Sequence, residues 1–129
     1  MMFDRYLVEE DSLRNVVEDG TIVGWSIGAR IGYYRGLGLS MVDIALTLDG
    51  EEIASDRIRL QLHGADYRLT EIGDVLDDRW GFNETVTIFV EQEGGLAPGA
   101  HEIALAQSLR ISYLAVPSVN RDTKVLIAT

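Results

Sequence analysis

Residues 23–48 read VGWSIGARIGYYRGLGLSMVDIALTL. Before the insert, Val23, Trp25, Ile27, Ala29 and Ile31 share one parity; after it, Val42, Ile44, Leu46 and Leu48 do the same. A period of two places alternate side chains on opposite faces of an extended chain, so both halves read as half-buried β-strands. Between them lies Gly32-Tyr33-Tyr34-Arg35-Gly36-Leu37-Gly38. A turn asks for a glycine or two and some small polar residues, and two tyrosines beside an arginine exceed that need. Two readings stand. The tyrosines fold back over one end of the core, with Arg35 stacked on a ring or paired to a carboxylate; or the insert is a presented surface, since Tyr and Arg are enriched where proteins bury contacts against partners. Both hold together if one tyrosine packs inward and its neighbour points out.

Working outward, Asp19-Gly20 and Asp49-Gly50 are hairpin-turn dipeptides. Ile58, Leu60 and Leu62 alternate with Arg57, Arg59 and Gln61, a strand with one face turned to water or to a partner. Thr70 is placed to cap a brief helix over residues 71–76, weakened by Gly73. Val86, Ile88 and Val90 mark another strand, and residues 94–99 (GGLAPG) are the clearest loop. Beyond it, His101, Ile103, Leu105, Leu109, Ile111 and Tyr113 share a parity that permits one long strand, which Pro117 ends; residues 124–128 read as a terminal strand or a loose tail. Seven or so short strands with at most one short helix predict an all-β chain: a single-domain antiparallel β-sandwich over residues 1–129, jelly-roll or immunoglobulin-like, with a closed barrel as the alternative.

The 129 residues suffice for a core without staples. With 47% hydrophobic and 25% charged residues the composition is that of a folded globular chain. No cysteine is present, which excludes disulfides and thiol chemistry and suits a reducing cytoplasm. Eleven Lys and Arg against 21 Asp and Glu give a net charge of −10, which repels nucleic acid and anionic membranes. Residues 1–5 (MMFDR) do not open a secretory signal, and no apolar run approaches the ~20 residues of a membrane helix.

Chemistry-bearing patterns are few. His63 and His101 fall in different predicted strands, where each is expected to make a structural hydrogen bond, and no metal-ligand spacing is present. There is no nucleophile elbow, and Gly36-Leu37-Gly38 lacks the third glycine and following helix of a dinucleotide loop. Glu51-Glu52 reads as solvated beside its turn, and Asp77-Asp78 before Arg79-Trp80 as a salt bridge fixing a loop. Neither catalytic nor metal-ligating residues are assigned. The residues point to a binding or accessory module.

Taken together, Phe3-Asp4-Arg5-Tyr6, Ile31-Gly32-Tyr33-Tyr34-Arg35-Gly36-Leu37 followed by Leu39-Ser40-Met41, Asp49-Gly50-Glu51-Glu52, Leu62-His63-Gly64, Asp77-Asp78-Arg79-Trp80, the segment from Gly94 to His101 and Leu109-Arg110-Ile111-Ser112-Tyr113 resemble the small (β) subunit of bacterial C-glycoside deglycosidases. The likeness spans nearly the whole chain; Gly32 departs from it where family members often carry proline, which loosens the start of the insert. The resemblance implies a β-sandwich that joins a larger α subunit, a TIM barrel similar to sugar-phosphate isomerases that holds a divalent metal, often Mn2+. It further implies a hetero-oligomeric carbon–carbon lyase acting on a 3-oxo-C-glycoside at or near the interface. This chain would then be its pocket-completing subunit, holding no cofactor of its own, with Tyr33, Tyr34, Arg35, Gly36 and Trp80 as substrate-binding or interface residues. Two rivals remain: a freestanding carbohydrate-binding β-sandwich, and a homo-oligomer of self-pairing strands.

Overall fold

The computed structural model describes residues 7–111 and 116–128. In chain order the strands are β1 (Arg14–Glu18), β2 (Thr21–Ala29), β3 (Leu37–Gly38), β4 (Val42–Leu48), β5 (Glu51–Glu52), β6 (Ile58–Leu62), β7 (Ala65–Arg68), β8 (Arg79–Trp80), β9 (Val86–Glu91), β10 (Gly99–Leu109) and β11 (Ser118–Ala128). They form a five-stranded sheet in the order β1-β2-β9-β6-β7, a four-stranded sheet in the order β11-β10-β4-β5, and the short β3-β8 pair. Every pairing is antiparallel. No helix among the described residues is long and apolar enough to cross a membrane.

The expected alternation decides which faces meet. Trp25, Ile27, Leu60 and Ile88 from the five-stranded sheet and Leu46, Ile103 and Leu105 from the four-stranded sheet are each at most 1% exposed and belong to one apolar cluster. Burying each such side chain contributes about 1.5–3 kcal/mol, so the facing sheets are the main source of stability. The all-β sandwich is therefore what the pattern of twos predicts.

Three two-residue hairpins set the registers. Asp19-Gly20, Asp49-Gly50 and His63-Gly64 all place both residues at positive φ, 51° and 77°, 48° and 85°, 52° and 76° respectively. That geometry matches the right-handed twist of paired strands. The third hairpin corrects the expectation for His63, which lies in the turn between β6 and β7 and not in a strand. Histidine is among the few non-glycine residues that tolerate this conformation.

Other differences are local. The helix expected over residues 71–76 is a 3-10 segment, Leu69–Asp74, whose N-cap is Arg68 with no side-chain cap, so Thr70 does not act as predicted. Single 3-10 turns also occur at Leu39–Met41 and Ser55–Arg57. The terminal strand is not confined to residues 124–128: β11 begins at Ser118 and pairs with β10 over its whole length. Phe3, Asp4, Arg5, Tyr6, Ser112 and Tyr113, part of the motif set above, lie outside the described residues.

Candidate functional site

The Tyr-Tyr-Arg insert leaves the five-stranded sheet after β2 and returns through β3. Its start is tied to the other sheet by two amides. Gln107 and Asn120 are register partners on β10 and β11, both pointing inward and both 0% exposed. Gln107 accepts the Gly32 N–H through Oε1 at 2.9 Å and donates through Nε2 to the Arg30 carbonyl at 2.7 Å. Asn120 donates to the Gly32 carbonyl at 3.4 Å. A Cβ on residue 32 would stand 2.9 Å from Asn120 Nδ2 and 3.1 Å from Leu7 Cδ2, so glycine here is set by close approach.

At its centre the insert turns, with the Gly36 N–H donating to the Tyr33 carbonyl at 2.9 Å, and the turn divides the two aromatics. Tyr33 is half-buried against the core, while Tyr34 is 54% exposed. Their rings meet edge to face at 5.3 Å and 68°, and the Arg35 guanidinium lies 5.3 Å from the Tyr34 ring centroid. The pair is thus a presented ring and cation backed by a packed ring.

The end of the insert rests on the segment that carries β8. Leu37 pairs with Trp80 and Gly38 with Arg79, the Arg79 Nη2 donates to the Arg35 carbonyl at 2.6 Å, and the Leu39 N–H donates to the Asp78 carbonyl at 3.0 Å. Gly36 has φ 66°, and a Cβ there would come within 2.5 Å of the Trp80 carbonyl. Trp80 itself is 0% exposed, with Nε1 donating to the Glu84 carbonyl at 3.1 Å. Its ring therefore supports the insert from beneath and offers no face to a ligand. Phe82, 41% exposed, has its backbone against Gly36 and adds a second exposed ring beside the insert; no pattern in the sequence had singled it out.

Behind this segment sits a polar cluster. His63 Nδ1 lies 2.7 Å from Asp78 Oδ1 and Nε2 lies 2.6 Å from Glu84 Oε2. Tyr67 donates its hydroxyl to Asp78 Oδ2 at 2.7 Å, and the Gly81 N–H donates to Glu84 Oε1 at 2.7 Å. The bond to Glu84, then that to Asp78, raises the His63 pKa above its ordinary value. Glu84 is held below the usual carboxylate range chiefly by His63, and Asp78 by the Tyr67 hydroxyl and then His63. The Tyr67 hydroxyl is raised by its bond to Asp78. An imidazolium donating from both nitrogens fits these contacts. With both nitrogens engaged, His63 has none left for a metal or for proton abstraction. The loop-fixing salt bridge expected at Asp77-Asp78 thus runs to His63, while the Arg79 guanidinium turns to the Arg35 carbonyl.

His101 repeats the motif elsewhere, with Nδ1 2.8 Å from Asp49 Oδ2 and Nε2 donating to the Ala97 carbonyl at 2.7 Å, tying the loop before β10 to the β4-β5 turn. On the outer face of the five-stranded sheet, Arg59 reaches Glu91 at 3.0 Å and Asp66 at 3.6 Å, and Arg57 donates to the Glu91 carbonyl at 2.9 Å. Among the described residues no group of three or more His, Asp or Glu is placed to hold a metal ion.

A family model described as the C-glycoside deglycosidase beta subunit matches residues 3–113. A C-glycoside deglycosidase beta subunit of Eubacterium cellulosolvens is 26% identical over 121 residues, 92% of this chain and 81% of its own. A 3'-dehydrocarminate deglycosidase beta subunit of a Microbacterium species is 31% identical over 118 residues, 89% of this chain and 83% of its own. A third relative, a C-glycoside deglycosidase beta subunit of Microbacterium trichothecenolyticum, is 26% identical over 130 residues, 98% of this chain and 88% of its own. The family match includes the insert and the His63 turn, and on it the chain belongs to the C-glycoside deglycosidase beta subunit family.

Proposed function

We propose that this chain is the accessory subunit of a heteromeric C-glycoside deglycosidase and that residues 33–36 complete the pocket or the subunit interface around a 3-oxo-C-glycoside. The observation that carries this reading is the presented Tyr34 ring with Arg35 over it, on an insert tied down at both ends. A flat phenolic aglycone is matched by an aromatic face and a guanidinium plane. In the reaction a base removes the proton at sugar C2, acidified by the C3 ketone. The electron pair forms C1=C2, the bond to the aglycone breaks, and the aryl carbon takes a proton. The divalent metal and the main base belong, on this reading, to the larger TIM-barrel subunit, and this chain binds, orients and shields.

A freestanding carbohydrate-binding module is the second reading, and the outer face of the five-stranded sheet does not favour it, since Arg57 and Arg59 already satisfy Glu91, Gln92 and Asp66. Co-purification with the sugar-isomerase-like subunit, then assay of a 3-oxo-C-glucoside with each chain alone and with both, tests the proposal. Activity confined to the pair is expected. Tyr34→Ala or Arg35→Ala should then weaken assembly or raise the apparent KM by about tenfold, the scale of an interface hot spot. Full activity of the larger subunit alone would transfer the argument to the binding-module reading.

A further inference from the structure

Among the described residues the insert pairs as a strand with β8 alone, and β8 is only two residues long. Such a pair is too short to hold its own shape in water. Residues 78–84 are held by the buried Trp80 ring and, at their two ends, by the polar cluster behind them. Asp78 and Glu84 stand at the two ends of that segment, and His63 touches both. Within it the Glu84 N–H donates to the Gly81 carbonyl at 3.1 Å and the Gly81 N–H returns to the Glu84 carboxylate at 2.7 Å. From the other side, Arg79, Asp78 and the Trp80 carbonyl meet residues 35–39.

We infer that His63 is a positioning residue: as an imidazolium bridging Asp78 and Glu84 it closes the 78–84 segment, and through β8 it sets the height and angle at which Tyr34 and Arg35 are presented. The inference rests on the pocket-completing reading for its purpose, but its geometry lies wholly within this chain. The groups that face His63 are Asp78 and Glu84 from the segment and Tyr67 from β7, with Asp77 acting on Tyr67 at longer range. Arg79 adjoins this cluster, and its Nη2 is directed to the Arg35 carbonyl.

The sign of the pH effect follows. The bridge is complete where His63 is charged and both carboxylates are ionised, that is above the lowered carboxylate values and below the raised His63 value. Above that, loss of the imidazolium proton leaves Asp78 and Glu84 facing a neutral ring that can donate to only one of them. The raised His63 pKa extends the closed form toward neutral pH. The insert then loosens as pH rises through that value.

Amide hydrogen exchange on the full chain reads this directly. In the wild type, protection of the amides of residues 35–39 and 79–82 should fall by about threefold to fivefold as pH rises through the His63 titration, followed by NMR. His63→Asn keeps a residue that tolerates the turn's left-handed backbone while removing the bridge, and should show the lower protection at every pH. Glu84→Gln, which leaves the turn untouched, should give a smaller loss, and His101→Asn none. Wild-type protection with wild-type pH dependence in both His63→Asn and Glu84→Gln would overturn the inference. In the assembled enzyme His63→Asn should raise KM at pH values where wild-type His63 is protonated, and spare kcat. If the exchange result holds while Tyr34→Ala changes neither assembly nor KM, the clamp stands and the pocket-completing reading falls.

Discussion

The two ends of the insert are held by opposite kinds of chemistry. At the start, Gln107 and Asn120 are neutral, fully buried and bonded to backbone groups of residues 30–32. At the end, His63, Asp78 and Glu84 are titratable, with His63 and Glu84 side chains 45% and 43% exposed. A buried neutral amide contributes little net energy when satisfied, yet its loss strands backbone groups in a dry site. Exposed ion pairs contribute less, are screened by salt, and respond to pH. The insert is therefore rooted in a dry, pH-insensitive site on one side and in a wet, pH-sensitive one on the other.

Breaking the buried root should have the largest effect. Gln107→Leu fills the same space but leaves the Gly32 N–H and the Arg30 carbonyl without their partner, at about 1–3 kcal/mol each. Urea unfolding should show a loss of roughly 2–5 kcal/mol with no dependence on pH between about 5 and 8. A pH-dependent loss would erase the contrast between the two ends.

The next effect should come at the glycine between the insert and β8. Gly36→Ala combines a left-handed backbone with a Cβ 2.5 Å from the Trp80 carbonyl, and the obstruction is backbone that cannot rotate away. A destabilisation of about 1–3 kcal/mol is expected, with exchange protection lost in residues 35–39 and kept in 30–32. Gly38→Ala, where nothing lies within 4 Å of the added carbon, is the matched control and should be nearly silent. Equal effects at the two sites would show that the segment yields as a whole.

How much of this could be read beforehand depends on the kind of interaction. The period-two runs from Trp25 to Ala29 and from Val42 to Leu48 place the core directly, because burial of alternate residues is the same physics as the pattern. The Asp-Gly turns were legible for a similar reason, since their conformation is a property of two adjacent residues. His63-Gly64 obeys that same rule, yet a histidine after an alternating Ile58-Leu60-Leu62 run reads as more strand. Gln107 left a trace: it is the one polar residue in the inward series Ile103, Leu105, Leu109, and a polar residue on a core face asks for a partner. That the partner is the backbone of residues 30–32, some 75 positions away, is a fact of sheet packing that no local pattern carries. Trp80 is expected from the sequence to bind substrate or line the interface; it pairs with Leu37 of the insert and is 0% exposed, a burial that a two-residue strand shows no alternation to announce.

The smallest expected effect sharpens the comparison by using the second histidine as a control. His63 and His101 both have raised pKa values, His63 from Glu84 and then Asp78, His101 from the Ala97 carbonyl and then Asp49. A raised pKa means that folding favours the protonated form, so each contribution is fully present below the ordinary histidine value of about 6.5 and is lost as pH rises through the folded value. Their carboxylate partners Asp78, Glu84 and Asp49 are lowered, so that part of the contribution is present above the ordinary carboxylate range and fades in acid. Stability of the whole chain should therefore decline slightly as pH rises from about 6.5 through the raised histidine values, and the combined His63→Asn and His101→Asn variant should flatten that decline. The two residues part company in where the loosening occurs. Deprotonating His101 frees the loop before β10 and the β4-β5 turn, whereas deprotonating His63 frees the end of the insert. If thermal melts of the two single variants share the same pH slope but only His63→Asn alters exchange at residues 35–39, the charged anchor acts on the insert through position and not through overall stability.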